Sequence, residues 1–421
     1  VSDTPNTNIN RAIEMAARES YGRLLAYLVA RTGDVDAAED ALAEAFLRAL
    51  ESWPRTGVPD RPEAWLLTAA RRRHIDEYRQ GRTAARLVDT LIADAERESF
   101  GPGKELSLET QFPDERLKLL FLCTHPAIDA AVRTPLMLQT VLGIDAATIA
   151  NAFLTSPSTM GQRLSRAKTK IRATAIRLEA PAEAELSPRI DSVLDAIYAA
   201  YGLGWDRAVV DGADPRWRGL SDEAIWLGRL TISLLPDEPE AKGLLALMLY
   251  CEARTNVRRG VDGEYVPLSE QDASRWSRSM IEEAEALLST AARARRIGRY
   301  QLEAAIQSAH SRRAYGEEVD WMAVAGLYAG LVIVDPTIGA RVGQAAAVAE
   351  AMSATEGLRL LDAVDEATVS AYQPYWALRA HLLSEVARSD EARLAYQRAI
   401  GLSEDPAVQS FLQSKNDHHR R

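Results

Sequence analysis

Cysteine is nearly absent from the 421 residues. Cys123 and Cys251 lie far apart and in no C-x-x-C arrangement, so neither a disulfide scaffold nor a zinc site is indicated, and a reducing compartment fits. Aromatic residues make up only 6% of the chain, and no run reaches the roughly 18 apolar residues that a membrane span needs. The opening residues VSDTPNTNINRAIEMAARES are polar and lack a basic stretch followed by an apolar one. Neither export nor membrane insertion is therefore expected, and the expected location is cytoplasmic. A Gly-rich phosphate loop, HExxH and GxSxG are missing too, so the chain is expected to be neither an enzyme nor the holder of a cofactor. What is present, 47% hydrophobic and 26% charged residues rich in Ala, Leu, Arg and Glu, favours helix. The expected fold is all-α, in roughly two to four domains.

The net charge of −10 hides an asymmetry. Residues 1–180 hold 24 basic and 24 acidic side chains, and the remainder holds 26 and 36, so the whole acidic excess lies in the later part. The balanced first part leaves room for a surface that meets nucleic acid.

Apolar positions recur at helical spacing through residues 10–31, and a second helix, DVDAAEDALAEAFLRALESW, has Asp34 or Asp36 as cap and should end before Pro54. On it Asp36, Glu39, Asp40 and Glu44 cluster on one face, either simply solvated or able to dock a basic partner. After the loop PRTGVPDRP comes EAWLLTAARRRHIDEYRQ, which carries Arg71, Arg72, Arg73, His74 and Arg79 beside Trp65 and Tyr78. Cations that neutralise phosphates beside rings that stack on bases suit single-stranded DNA, although Asp76 and Glu77 offer the arginines local partners. Residues 87–113 are acidic, contain Gly101, Pro102 and Gly103, and read as a linker.

A helical group over 114–180 ends in SPSTMGQRLSRAKTKIR. Ser156 and Pro157 make a sound helix start, and Met160, Leu164, Ala167 and Ile171 form one apolar stripe. Upstream are LMLQTVL, a turn at Gly143 and a short helix begun by Asp145, together the layout of a helix-turn-helix. Ser158, Thr159, Gln162, Arg163, Arg166, Lys168 and Lys170 are then the candidates to meet duplex DNA, since Arg grips guanine and Gln grips adenine with paired hydrogen bonds while Lys and Ser reach phosphates. The bland alternative is a basic amphipathic helix that only keeps the surface solvated. Cys123 and His125 are two donors, too few for a coordination sphere, so no metal is expected.

Past the bridge APAEAELSP the chain reads as helices broken at PDEP, GVDGEYVP, VDP and QP. Trp376, Ala380, Ala392, Tyr396 and Ala399, with Pro406 beyond, fall where tetratricopeptide repeats place their packing residues, and Ala345, Gly357, Leu361 and Val364 repeat the pattern upstream. Residues 187–415 are therefore expected to form a helical-hairpin array interrupted by an insertion near 254–275.

DAAEDALAEAFLRALESWP, PEAWLLTAARRRHIDEYR and TMGQRLSRAKTKIR, in that order, resemble the extracytoplasmic-function (group IV) sigma factors of RNA polymerase. FLCTHPAID, SRWSRSMI, YQLEAAIQSAHS and the terminal repeats resemble the subgroup with a tetratricopeptide-like C-terminal extension. The resemblance implies a sigma region 2 domain over 1–86, an acidic linker over 87–113 that passes through polymerase channels, and a region 4 domain over 114–180. It implies that Asp36, Glu39, Asp40 and Glu44 bind core polymerase, and that the loop from Arg55 to Asp60 with Arg71, Arg72, His74 and Arg79 holds the melted minus-ten element. The helix from Ser158 to Lys170 would read the minus-thirty-five duplex. Arg72 stands where the family often has Asn, and YGLGW at 201–205 replaces an often NEGY-like stretch. The acidic array is expected to contact the chain's own sigma domains and to regulate or support their activity. Two other readings stay open at this point, a DNA-binding regulator that never joins polymerase and a helical scaffold.

Overall fold

In a computed structural model the chain is described over residues 20–80, 115–207 except positions 154, 175, 177, 180 and 182, and 220–418. The named elements among these residues are all helices, with one isolated antiparallel bridge between Arg259 and Tyr265. The all-α expectation holds. No helix among the described residues is long and apolar enough to cross a membrane. The chain divides into two compact units between Ala196 and Ile197.

In the first unit a helix over 20–32 (α1) ends at Gly33, whose φ of 66° suits a residue without a Cβ. Helix α2, Val35–Thr56, starts where the Asp34 carboxylate accepts the Ala37 N–H at 3.2 Å, satisfying a donor the helix itself cannot. Val35, Ala38, Leu42, Ala45, Ala49 and Trp53 recur at three to four residues and are buried. The helix does not end before Pro54 as its sequence suggests. A proline in the last turn removes only one late hydrogen bond, and Gly57, at φ 83°, closes the end by donating to the Trp53 carbonyl. Helix α3, Pro62–Gln80, opens on a proline whose missing N–H is not needed there.

Four further helices follow: α4 (Arg116–Cys123), α5 (Ala130–Thr140), α6 (Ala146–Ala152) and α7 (Pro157–Ala173). Asp145 caps α6 through the Ala147 and Thr148 amides, and Ser156 caps α7 through Thr159. The bridge APAEAELSP lies largely inside helix α8, Glu183–Arg207, because Ala, Glu and Leu favour helix; the boundary between the two units falls within this helix.

The second unit comprises α9 (Leu220–Leu234), α10 (Pro239–Glu252), α11 (Arg278–Ala292), α12 (Arg299–Ser311), α13 (Trp321–Val334), α14 (Ile338–Ala351), α15 (Ala354–Asp362), α16 (Glu366–Val369), α17 (Gln373–Glu385), α18 (Ser389–Leu402) and α19 (Pro406–His418). Ala345, Leu361, Ala380, Ala392, Tyr396 and Ala399 are buried in one cluster, with Trp376 and Val364 packed against it. A Cβ on Gly357 would lie 2.9 Å from the Ala345 carbonyl, so glycine lets α14 and α15 touch. The insertion at 254–275 is tied down by Arg313, which donates to the carbonyls of Leu268, Ser269 and Gln271 at 2.6, 3.0 and 3.1 Å. Its Tyr265 meets Phe411 of α19 edge to face, and its Arg259 pairs with Asp405. YGLGW acquires a packing role. Tyr201 stacks on Trp205 and donates to Glu252, while Arg258 covers the Trp205 ring and donates to its carbonyl. A Cβ on Gly204 would lie 2.6 Å from the Ser221 amide nitrogen, which fixes glycine at that crossing.

Candidate nucleic-acid interface

Helix α7 divides its faces cleanly. Met160, Leu164, Ala167 and Ile171 are buried, as their spacing predicts. Ser158, Gln162, Arg163, Arg166 and Lys170 are exposed, and no ion pair engages Arg163, Arg166 or Lys170 among the described residues. Thr159 is half-buried, with its hydroxyl 2.8 Å from that of Ser156. Ahead of α7 stand α5, a turn at Gly143 with φ 66°, and the short α6. A helix, a tight turn and a second helix that turns polar donors outward can be laid in a major groove.

Lys168 does not share that exposed face. It is only 7% exposed, and its ammonium donates to the Glu39 carboxylate of α2 at 2.5 Å. Its position four residues after Leu164 and three before Ile171 puts it on the flank of the apolar stripe, a signal already in the sequence. Arg172, one turn further, lies 3.6 Å from Asp34.

The four acidic residues of α2 accordingly split. Asp36 and Glu39 sit toward α7, and burial raises the pKa of both carboxyls above the ordinary value although Lys168 works the other way. Asp40 is exposed, and Glu44 is half-buried and pairs with Arg48 at 3.3 Å. Sequence reasoning missed the stripe beside them. Ala43, Leu47 and Leu50 repeat at a/d spacing on the outside of α2, and Leu47 and Leu50 are 56% and 45% exposed. The signal was available, since α2 carries more apolar residues than one buried face can absorb.

Arg55 and Asp60 are exposed on either side of the α2–α3 loop, which rests on an edge-to-face contact between Trp53 and Trp65 with centroids 5.5 Å apart. Glu63, in the first turn of α3, accepts from Ser20 and pairs with Arg23, fastening α1 to α3. Arg71 is half-buried and Arg72 exposed. His74 and Arg79 lie on the α3 backbone, but their side chains are outside the described residues, as is the acidic segment 87–113. Cys123 and His125 face different partners. The Cys123 sulfur lies 3.0 Å from the Thr140 hydroxyl, with burial pushing the thiol up to about 12, and the His125 Nδ1 accepts from the Ala127 amide.

Comparison with known proteins bears on these surfaces. Residues 17–83 match the model of sigma-70 region 2, and residues 189–292 match a family of unknown function, DUF6596. No solved structure matches. The class these matches define is a chain with a sigma-70 region 2 match near its front, followed by a segment matched to a family of unknown function. The chain belongs to the same family as an uncharacterized protein of Rhizobium meliloti (strain 1021), to which it is 36% identical over 411 residues, 97% of this chain and 95% of that one.

Proposed function

We propose that the chain is an alternative sigma factor of the extracytoplasmic-function type. In this reading it binds core RNA polymerase and directs initiation, and its C-terminal helical array, tetratricopeptide-like in its packing residues, regulates or supports that activity. The observation that carries the reading is the outward face of α7, where Ser158, Gln162, Arg163, Arg166 and Lys170 stand exposed in a chain whose region 2 match precedes it. These side chains, with Thr159 beside them, have the hydrogen-bonding groups to read a minus-thirty-five duplex. Arg55, Asp60, Arg71, Arg72, His74 and Arg79 would hold the melted minus-ten strand. Asp40 and Glu44, with Asp36 and Glu39, would meet polymerase, and the exposed Leu47 and Leu50 add apolar area beside them.

Run-off transcription with the full chain and core enzyme, from the promoter of its own gene, tests the reading. Initiation that depends on both proteins is the expected result. Duplex binding without core enzyme makes the chain a conventional regulator, and binding to neither makes it a scaffold.

A further inference from the structure

We infer that α2 and α7 form a latch, in which the back of the duplex-reading helix covers carboxylates that polymerase must reach. The inference rests on the sigma reading for what the latch competes with, and on geometry alone for the contact. The two helices belong to segments separated in sequence by the residues between α3 and α4, yet Lys168 is buried against Glu39 and Arg172 reaches Asp34. The approach is shaped as well as charged. A Cβ on Gly22 of α1 would lie 2.0 Å from the Val141 carbonyl oxygen, and one on Gly143 would lie 2.9 Å from the Tyr21 ring, so two glycines are needed where α1 meets the end of α5 and the turn that follows it.

The contact is suited to reversal. Taking Lys168 and Glu39 out of water offsets much of their attraction unless every remaining polar atom is satisfied. The second carboxylate oxygen of Glu39 is buried with no hydrogen-bond partner, and Asp36 and Asp40 add like charge beside it. A basic partner that solvates or pairs these carboxylates better displaces Lys168 at small cost. Closure is one-sided, because Gln162, Arg163, Arg166 and Lys170 stay exposed while Asp34, Asp36 and Glu39 are half-buried. The free protein therefore presents its duplex-reading face and withholds part of its acidic one. Polymerase, by taking α2, frees α7 to move to the spacing that a promoter demands.

The full chain labelled with spin probes at Glu51→Cys and Ser165→Cys, both exposed positions, reports the α2–α7 distance, since Cys123 and Cys251 are buried. One narrow, short distance is expected, broadened and lengthened by Lys168→Glu and restored by adding Glu39→Lys. The neutral Lys168→Met guards against a folding defect and should open the distance partly. A distance indifferent to both Lys168 variants overturns the latch. Unlabelled Lys168→Met should bind core polymerase about tenfold more tightly than the natural chain, which is ~1.4 kcal/mol. Equal affinity despite an opened distance overturns the competition. If neither protein binds polymerase while the distance still responds to residue 168, the sigma reading fails and takes the competition with it, while the contact stands.

Discussion

Much of the charge of the helical array is paired within it, whereas the outer face of α7 and Asp40 of α2 carry charge that no ion pair engages among the described residues. In the array Arg313 closes three carbonyls of the insertion, Arg259 holds Asp405, and Arg299 bridges Glu303 and Asp335 at 2.7 and 3.1 Å. In the first unit Arg163, Arg166, Lys170 and Asp40 stand exposed. By charge count the array, with 26 basic and 36 acidic residues after position 180, looks like the more charged partner surface. The contacts reverse that impression: much of its charge builds the fold, while the nearly neutral front part, which also pairs Arg23 with Glu63 and Lys168 with Glu39, leaves the outer face of α7 exposed. Net charge locates an interface only after internal pairing is subtracted.

The sharpest way to break the comparison is to remove an array charge. Glu240 of α10 accepts from the Tyr300 amide at 2.9 Å, the Gln301 amide at 3.1 Å and the Gln301 side chain at 3.0 Å. It thereby caps α12, whose own cap position, Gly298, has no side chain to do so. Glu240→Ala should cost about 4 kcal/mol, because donors near the start of α12 lose their acceptor. Urea denaturation followed by circular dichroism reads the loss, and Glu240→Gln should recover part of it. A change within about 0.5 kcal/mol, as at an ordinary surface site, would place this carboxylate among the solvated ones.

A smaller effect follows from His310, edge-on to Trp321 with centroids 5.4 Å apart. Burial, and then Arg254 and Arg313, lower its pKa from 6.5 to about 4. The folded array thus holds His310 neutral at pH values where the unfolded chain protonates it. Its contribution is complete above pH 6.5 and is lost as pH falls toward 4, at most about 3 kcal/mol. His310→Phe keeps the ring contact and should flatten this part of the acid branch of the stability curve; an unchanged slope between those pH values contradicts it.

Much of α7 was legible because its signals are local: a serine cap, a proline in the first turn and a four-three-four stripe depend on residues within one helix. The caps at Asp34 and Asp145 were legible for the same reason. Lys168 was misjudged because counting basic residues ignores which side of the stripe each occupies. The ties of the insertion were not legible at all. Arg313 bonds residues more than 40 positions upstream, and Asp405 lies 146 residues from Arg259, so their pairing exists only once the helices have packed. The exposed Leu47 and Leu50 were passed over because an apolar residue in a helix is ordinarily assigned to the core.

The smallest effects test the other side of the comparison, the charges left outward. If Arg163 meets a base edge, Arg163→Ala should cost about 2 kcal/mol in promoter affinity and relax the preference at one base pair. If Lys170 meets only phosphate, Lys170→Ala should weaken all sequences alike, by about 1 kcal/mol, and should lower the slope of log affinity against log salt by about 0.9. The two helix positions are seven residues apart and so lie on nearly the same face of α7, yet the expected signatures differ in kind. Titrating promoter and scrambled duplexes at several salt concentrations, with core polymerase present, separates them. Loss of discrimination in both variants would mean that Lys170 also reaches a base edge. An unchanged salt slope in both would mean that this face of α7 does not meet the duplex, and that its exposed charge is no more engaged by a partner than an ordinary solvated surface.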